Sequence, residues 1–406
     1  MPASVSKSVA LSGGHRTAHS TCMTHIPRHK AGQPRRAPDE CGFANAGRFA
    51  MMLVEALGAG VRLPHAAHTD RSPRRPRKRR NGHSAYHPGP WRGRVKAHSR
   101  RRALLLPGLT FFNGLYNPAF NLGEDQRRAW VRKFKANGIN ALRVMCQWDY
   151  AAPAAFIDLA PDHSMYTNEG RVRHELFERL VALIRALDAE GMVLSVIMFA
   201  HDRQPYFLPT TAQERATREL TERLAPYGNL FQQVWAEDDR EVRRYIAAVR
   251  ATDPDRLVTS TPGFSADPRR PFDHVGEDDE VNRSLDILTP HTLRSSAVPF
   301  WYLAPAQVEY LLDTYRKPVI DDSPARRGPM LWGGVPGNTT LEQHLEHIKR
   351  DRAIGGYHSY HHDMFQWGYG HELVPPNGIP DPDFSPFHRQ VFDYLRDHTT
   401  WEVTRR

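Results

Sequence analysis

The chain has 406 residues, of which 40% are apolar, so it is long enough to bury a sizeable core. Its net charge of +10 is unevenly distributed, because residues 1–102 carry 21 Lys and Arg against 4 acidic residues. The remainder has a net charge of −7. A nucleic-acid-binding surface spread over the whole protein is therefore excluded, and any contact with nucleic acid is expected only through the N-terminal part.

Residues 1–103, called the basic arm below, are predicted to be disordered. Segment 71–102 is rich in Arg, Pro and Gly and nearly free of aliphatic side chains, so folding would not offset its loss of conformational entropy. Such a segment suits a phosphate-binding arm, a localisation patch or an extension without function. The apolar stretch 49–61 is interrupted by Glu55 and is too short to span a bilayer. No signal peptide is predicted there, and the cytoplasm is the default compartment.

From residue 104 onward, short apolar runs alternate with segments of helical periodicity, which is typical of βα units. The second predicted helix places Leu176, Leu180, Leu183, Ile184 and Leu187 on one face. Glycines at 138 and 191 are expected to end the first two helices. The eight predicted strands lie in LTFFNGLYN, INALRVMCQW, MVLSVIMFA, NLFQQVWAE, RLVTSTPG, LDILTPHT, KPVIDDS and YHSYHH.

Eight such units over residues 104–400 predict an α/β fold, a single (β/α)₈ TIM barrel preceded by the disordered basic arm. A doubly wound open sheet is the alternative, but it usually carries a glycine-rich first turn. The first turn here, FNGLYNPAFNLG, does not have that pattern. The barrel is therefore the predicted fold.

Polar side chains collect where the predicted strands end, which is the edge of a barrel that carries catalytic groups. Taken singly, each has a structural explanation: an ion pair for Arg143, core packing for the histidines and tryptophans, and a helix N-terminus for Glu237. Tryptophan rings also suit the apolar faces of sugars. The set comprises Arg143, Trp148, His201, Glu237, His291, Trp301, Asp321, Asp322, His358, Tyr360 and His361.

A carboxylate after strand four facing another after strand seven is the arrangement that cleaves glycosidic bonds. One acid protonates the leaving oxygen, while the other attacks or stabilises the oxocarbenium-like centre. We therefore predict hydrolysis of O-glycosidic bonds in an oligo- or polysaccharide. Glu237 is the expected acid/base, and Asp322 or Asp321 is the expected second carboxylate.

The sequence resembles the clan A glycoside hydrolases of the family 5, cellulase-like type over residues 105–398. NLFQQVWAE (229–237) fits the frame of the family phrase N-x-x-x-E-x-x-N-E, and KPVIDDS (317–323) fits K-P-V-x-x-x-E. The resemblance implies that Glu237 is the acid/base and that Arg143, His201 and His291 are counterparts of conserved family side chains. The chain departs from this pattern at positions that bear on the chemistry. Ala236 replaces an Asn that binds the sugar 2-hydroxyl, and Ser323 stands where the nucleophilic Glu belongs.

The strand-seven carboxylate has two candidates because side chains alternate along a strand. Asp321 shares a face with Ser323, whereas Asp322 lies on the other face. If Ser323 faces the cleft, Asp321 lies one layer deeper; a bulge or the turn at Pro324 would instead aim Asp322 inward. We predict Asp322, with Asp321 as the alternative. An Asp is shorter than Glu, so both a retaining and a water-mediated inverting route stay open.

Arg143 and His291 are expected to orient the strand-seven carboxylate. No cofactor and no metal are expected for this reaction, and three cysteines show no metal or disulfide spacing. Ala236 and Ser323 also suit a carbohydrate-binding barrel without catalysis. A metal-dependent hydrolase using His201, His291, His358 and Asp322 is a further alternative, although strand one has no H-x-H pair. The expected sugar-subsite residues are Trp148, His201, Trp301, His358, Tyr360 and His361.

Overall fold

The structure is a computed structural model. It describes residues 107–148, 162–199, 208–236, 241–262, 270–273, 275–293, 299–322, 324, 326–327, 334–335, 340–361 and 377–398. The basic arm and the predicted site residues His201 and Glu237 lie outside these ranges, as does Ser323.

The strands of the described residues are mostly parallel neighbours in one sheet. They are β1 (Gly108–Thr110), β2 (Ala141–Met145), β3 (Val193–Phe199), β4 (Leu230–Ala236), β5 (Val258–Thr261), β6 (Ile320–Asp321), β7 (Arg326–Arg327), β8 (Gly334–Val335) and β9 (Tyr357–His361). The main sheet has the order β5-β4-β3-β2-β1-β9-β6, and β7 pairs separately with β8.

The predicted sixth strand closes this sheet into a ring. Asp286 N donates to Val258 O of β5 at 3.0 Å, and Leu288 N donates to Pro318 O at 2.9 Å. Leu288 and Val319 form a parallel bridge next to β6. All eight predicted strand positions therefore take part in one barrel wall, which confirms the predicted fold class.

Helices lie between the strands, as predicted. The leucine and isoleucine stripe of the second helix is buried throughout, because the barrel wall needs an apolar cover on its outer side. Their ranges are α1 (Glu124–Ala136), α2 (His174–Ala189), α3 (Thr210–Leu224), α4 (Val242–Thr252), α5 (Asp279–Ser284), α6 (Phe300–Tyr315), α7 (Leu341–Ala353) and α8 (Pro386–Asp397). Among the described residues, no helix is long and apolar enough to cross a membrane.

Helix α6 begins one turn earlier than the sequence indicates. The periodicity predicts a start near Ala304 with Pro305 in the first turn, but the helix begins at Phe300 and contains Pro305. A proline six residues into a helix removes a single intrahelical bond near the end where several N–H groups have no partner anyway. Trp301 consequently lies in the first helical turn, with its ring 5.1 Å from that of Phe300.

Gly138 directly follows the C-cap of α1 with φ of 86°, as the predicted helix stop requires. A Cβ at this position would lie 2.6 Å from Arg396 N, so both the left-handed conformation and the lack of space for a side chain favour glycine.

We expect Gly138→Ala to lower the free energy of unfolding by about 1–3 kcal/mol because of the backbone conformation, and the steric overlap with Arg396 to add to this loss. Gly123→Ala is the matched control, since its Cβ meets nothing within 4 Å. Equal urea midpoints for the two variants would contradict this account.

Two layers of side chains fill the barrel interior. An apolar layer contains Ala141, Val193, Phe231, Ile287, Ile320 and Tyr357. Two residues further along the same strands, and therefore on the same face, lie Arg143, Ser195, Gln233, Thr289, Asp322 and Ser359, called the polar layer below. A cavity of about 20 Å³, lined by residues of both layers, lies where they meet. The inner wall thus changes from apolar to polar toward the C-terminal ends of the strands.

Candidate active site

Asp322 is the aspartate that faces the barrel interior. Its Oδ2 lies 2.9 Å from Arg143 Nη2, and the two side chains are 2% and 4% exposed. Arg143 Nη1 also donates to the Asp322 main-chain oxygen at 3.3 Å. A buried carboxylate so close to a guanidinium is held in its ionised form by the cation.

Gln233 and Thr261 complete a ring of contacts around this pair. Arg143 Nε donates to Gln233 Oε1 at 3.0 Å, and Gln233 Nε2 donates to Thr261 Oγ1 at 2.6 Å. Thr261 Oγ1 donates to Asp322 Oδ2 at 2.9 Å. Sequence reasoning missed both residues. A signal was available for Gln233, because it is a polar residue inside an apolar strand. It lies two residues after Phe231, so both side chains are on the same face of the strand.

The β4–β5 pairing explains how Thr261 reaches the carboxylate. The register between the two strands shifts between Gln233 and Ala236, and Ala236 pairs with Thr261. Such an irregularity re-aims side chains next to a strand end. The last residue of β4 thereby lies beside the threonine that contacts Asp322.

Asp321 lies on the outer face of the wall, against helix α7. Thr292 Oγ1 donates to its Oδ1 at 3.0 Å, and His347 Nε2 lies 2.9 Å from its Oδ2. His358, which is the register partner of Asp321 on β9, places Nδ1 2.7 Å from Asp351 Oδ2. Asp321, His347, Asp351 and His358 are called the outer cluster below.

Burial and neighbouring charges shift the pKa values of the two outer-cluster histidines in opposite directions. Burial alone would lower the pKa of His347, but the Asp351 and Asp321 carboxylates outweigh it and raise that pKa. Burial, with the neighbouring His347 charge, lowers the pKa of His358 to about 3. Burial also raises the pKa of Asp351 well above its usual value. His358 is therefore a neutral imidazole near neutral pH.

Phe112 brings three of the predicted site residues together. Its ring lies 5.1 Å from the Arg143 guanidinium carbon, 6.1 Å from the Trp148 ring and 5.1 Å from the His361 ring. Trp148 and His361 are each 1% exposed. Phe112 is the second residue after β1 and was missed because an aromatic residue in an apolar run looks like core.

Two further predicted residues that the structure describes face away from this point. Tyr360 packs on α8, with its ring 5.5 Å from that of Phe392, and His358 belongs to the outer cluster. His291 is 4% exposed and precedes Thr292, which contacts Asp321. Of the residues named for a metal-dependent hydrolase, Asp322 and His358 lie on opposite faces of the wall, and His201 lies outside the described residues.

Lys317, the first residue of the K-P-V phrase, has a structural contact. Its Nζ donates to the main-chain oxygens of Asn282 at 2.8 Å and Leu285 at 2.5 Å. These carbonyls lie at the C-terminal end of α5, where a cation is favourable. Lys317 therefore anchors the start of the phrase beside β6, and Asp322 of the same phrase belongs to the polar layer.

Comparisons with known proteins give structural likeness only. No family model and no curated protein matches the sequence. GH5_18 from Streptomyces cattleya, solved in complex with GlcNAc, is 16% identical over 76% of this chain and 83% of that one, with a TM-score of 0.52. The endo-beta-1,4-mannanase from Thermotoga petrophila is 13% identical over 75% and 79%, with a TM-score of 0.51.

A family 5 glycoside hydrolase from Bacteroides vulgatus is 17% identical, with a TM-score of 0.47. The match covers 64% of this chain and 58% of that one, so this chain spans less than two thirds of its length. Helices alternating with a closed parallel sheet, and solved structures matched over three quarters of the chain, point to the same architecture. The chain has the (β/α)₈-barrel fold of the family 5 glycoside hydrolases.

Proposed function

We propose that this chain hydrolyses O-glycosidic bonds at the C-terminal mouth of its barrel. The observation that carries the proposal is the buried ion pair between Arg143 and Asp322. An inward-facing carboxylate on the predicted seventh strand, paired with an arginine on β2, provides the negatively charged group that the reaction needs at its start. The fold shared with family 5 structures is consistent with this role.

Glu237 is proposed as the general acid. It directly follows Ala236, whose pairing partner Thr261 contacts the Asp322 carboxylate. In this role Glu237 gives its proton to the leaving oxygen.

Asp322 is recessed relative to the family nucleophile, which supports an inverting route. It stands one position before Ser323, is one methylene shorter than Glu, and is 2% exposed. A water between Asp322 and the sugar would fill the gap, consistent with the separation of about 6.5–9.5 Å in inverting enzymes. Asp322 takes a proton from this water while the water oxygen forms a bond to the anomeric carbon. The glycosidic C–O bond breaks, and the leaving oxygen takes the proton of Glu237.

The apolar side of the sugar is proposed to face the ring set around Phe112. Trp148 and His361 lie against this ring next to Arg143. Aromatic rings suit the C–H face of a pyranose, while the neighbouring imidazole can hydrogen-bond to hydroxyl groups. These residues would therefore orient the sugar above Asp322.

Carbohydrate binding without turnover is the second candidate function. The low exposure of Asp322 favours it, together with serine at the family nucleophile position. The full chain should be incubated with manno- and cello-oligosaccharides and with aryl glycosides, and binding followed by calorimetry. Product release supports hydrolysis. Binding heat without product supports the binding barrel, and neither signal refutes both.

The stereochemistry of the product tests whether Asp322 acts through a water molecule. We expect the first-formed sugar to have the inverted anomeric configuration when followed by proton NMR before mutarotation. Retention by the unmodified chain would contradict the water-mediated role of Asp322.

A further inference from the structure

The outer cluster is a group of two carboxylates and two imidazoles that the proposed hydrolysis does not use. His347 and Asp351 lie one turn apart on α7 and face Asp321 of β6 and His358 of β9. One ligand atom from each residue lies within 4.8 Å of the other three. All four side chains are buried, with exposed fractions from 0% to 4%.

The spacing of these atoms is close to a tetrahedral coordination shell. With bonds of about 2.0–2.2 Å, ligand atoms around a tetrahedral zinc ion lie roughly 3.3–3.5 Å apart. His347 Nε2 is 2.9 Å from Asp321 Oδ2 and 3.5 Å from Asp351 Oδ2, and His358 Nδ1 is 2.7 Å from Asp351 Oδ2. The distance from His347 to Asp351 matches this value, whereas the other two are of hydrogen-bond length and would lengthen as the side chains turn toward a cation.

Hydrogen bonding within the cluster is incomplete. Among the described residues, His347 Nε2 and Asp351 Oδ1 have no hydrogen bond of good geometry, although both atoms are enclosed. His347 Nε2 nevertheless lies between the two carboxylates. A buried polar atom usually has a directed partner, and a cation between the nitrogen and the oxygens would supply one.

The charges of the cluster are compatible with a dication. Two carboxylates enter the cluster, and in the part of the chain that the structure describes no lysine or arginine contacts them. Thr292 donates a single hydroxyl to Asp321. A divalent cation with two neutral imidazoles makes the buried group neutral, whereas buried charges otherwise carry a large desolvation cost.

We propose that Asp321, His347, Asp351 and His358 bind one zinc-class divalent cation on the outer side of the barrel wall. Four protein ligands leave no open position, so the site is structural and joins β6 and β9 to α7. Asp321 precedes Asp322, so the cation also holds the strand that presents Asp322 to Arg143. This inference stands independently of the proposed hydrolysis.

The test uses the full chain, stripped of metal with a chelator and then titrated with zinc. We expect uptake of one tightly held zinc ion per chain, measured by elemental analysis after dialysis. The thermal midpoint should rise by about 5 °C or more at saturating zinc, because the ion binds only the folded state. Binding should be lost in His347→Gln and in Asp351→Asn.

His344→Gln is the matched control. His344 lies on the same helix, is equally buried, and packs against Phe300 and Phe387 outside the cluster. We expect this variant to keep the zinc ion. The control therefore separates loss of a ligand from loss of a buried histidine on α7.

Cobalt substitution of the unmodified chain keeps the proposal testable if the variants do not fold. Four-coordinate Co²⁺ with nitrogen and oxygen ligands has intense visible bands, whereas Co²⁺ on exposed histidines keeps its waters and absorbs weakly. Absence of these bands, or zinc uptake that persists in both His347→Gln and Asp351→Asn, would overturn the assignment. The outer cluster would then be a network of shared protons.

Discussion

Replacing Arg143 with Met is expected to lower the free energy of unfolding by about 3–5 kcal/mol, because it leaves the Asp322 carboxylate buried without its cation. Arg143 and Asp322 are 4% and 2% exposed, so solvent cannot replace the lost contact. Asp322→Asn should have an effect of similar size, since it leaves the guanidinium uncompensated. Urea denaturation followed by tryptophan fluorescence and circular dichroism measures both losses.

The double variant distinguishes the pair from its separate side chains. Arg143→Met combined with Asp322→Asn removes both charges, so its loss should be well below the sum of the two single losses. Arg128→Met is the surface control, because its pair with Glu124 is 51% and 68% exposed and should contribute about 0.3–0.5 kcal/mol. A loss for Arg143→Met no larger than for Arg128→Met would show that water screens the inner pair.

The order of the barrel elements could be predicted because both faces of the wall are covered. Strands β2 to β4 are buried along their whole length, which produces continuous apolar runs bounded by helical periodicity. The resulting pattern is strong enough to count eight units. The pattern does not fix the first residue of each helix, as the early beginning of α6 shows.

The same coverage explains why the faces of Asp321 and Asp322 could not be predicted. Val319 and Ile320 precede them, and an apolar side chain fits either the interior or the helix layer. Alternation fixes the relative faces of the two aspartates but not which one is inward. Contacts with Arg143 and His347, distant in sequence, decide the question.

For the predicted eighth strand, which is β9 in the structure, the sequence likewise does not show which residues face inward. The consequence for the predicted site is larger here. Its phrase YHSYHH carries polar aromatic residues on both faces, and the sequence analysis predicts sugar contacts for His358, Tyr360 and His361. In the structure His361 lies near Phe112, whereas His358 and Tyr360 face α7 and α8. His347 and Asp351, spaced four residues apart on α7, were the available signal for a second polar group.

Replacing Glu237 with Gln is expected to lower kcat by about 10²–10⁴-fold for natural oligosaccharides, because the leaving oxygen then receives no proton. Glutamine keeps the shape and hydrogen-bonding capacity of the side chain, so oligosaccharide affinity measured by calorimetry should change little. Glu241→Gln is the control, since Glu241 lies in the same connection after β4 but its side chain is 52% exposed. That variant should keep full activity.

The dependence on the leaving group identifies the role of Glu237 as an acid. A dinitrophenolate leaves without protonation, so dinitrophenyl glycosides should lose much less activity in Glu237→Gln than alkyl glycosides or oligosaccharides do. Equal losses for both substrate types would instead indicate that Glu237 positions the sugar or the water. Full activity toward oligosaccharides in Glu237→Gln would remove Glu237 from the reaction and leave the pair of Arg143 and Asp322 as a structural element of the barrel.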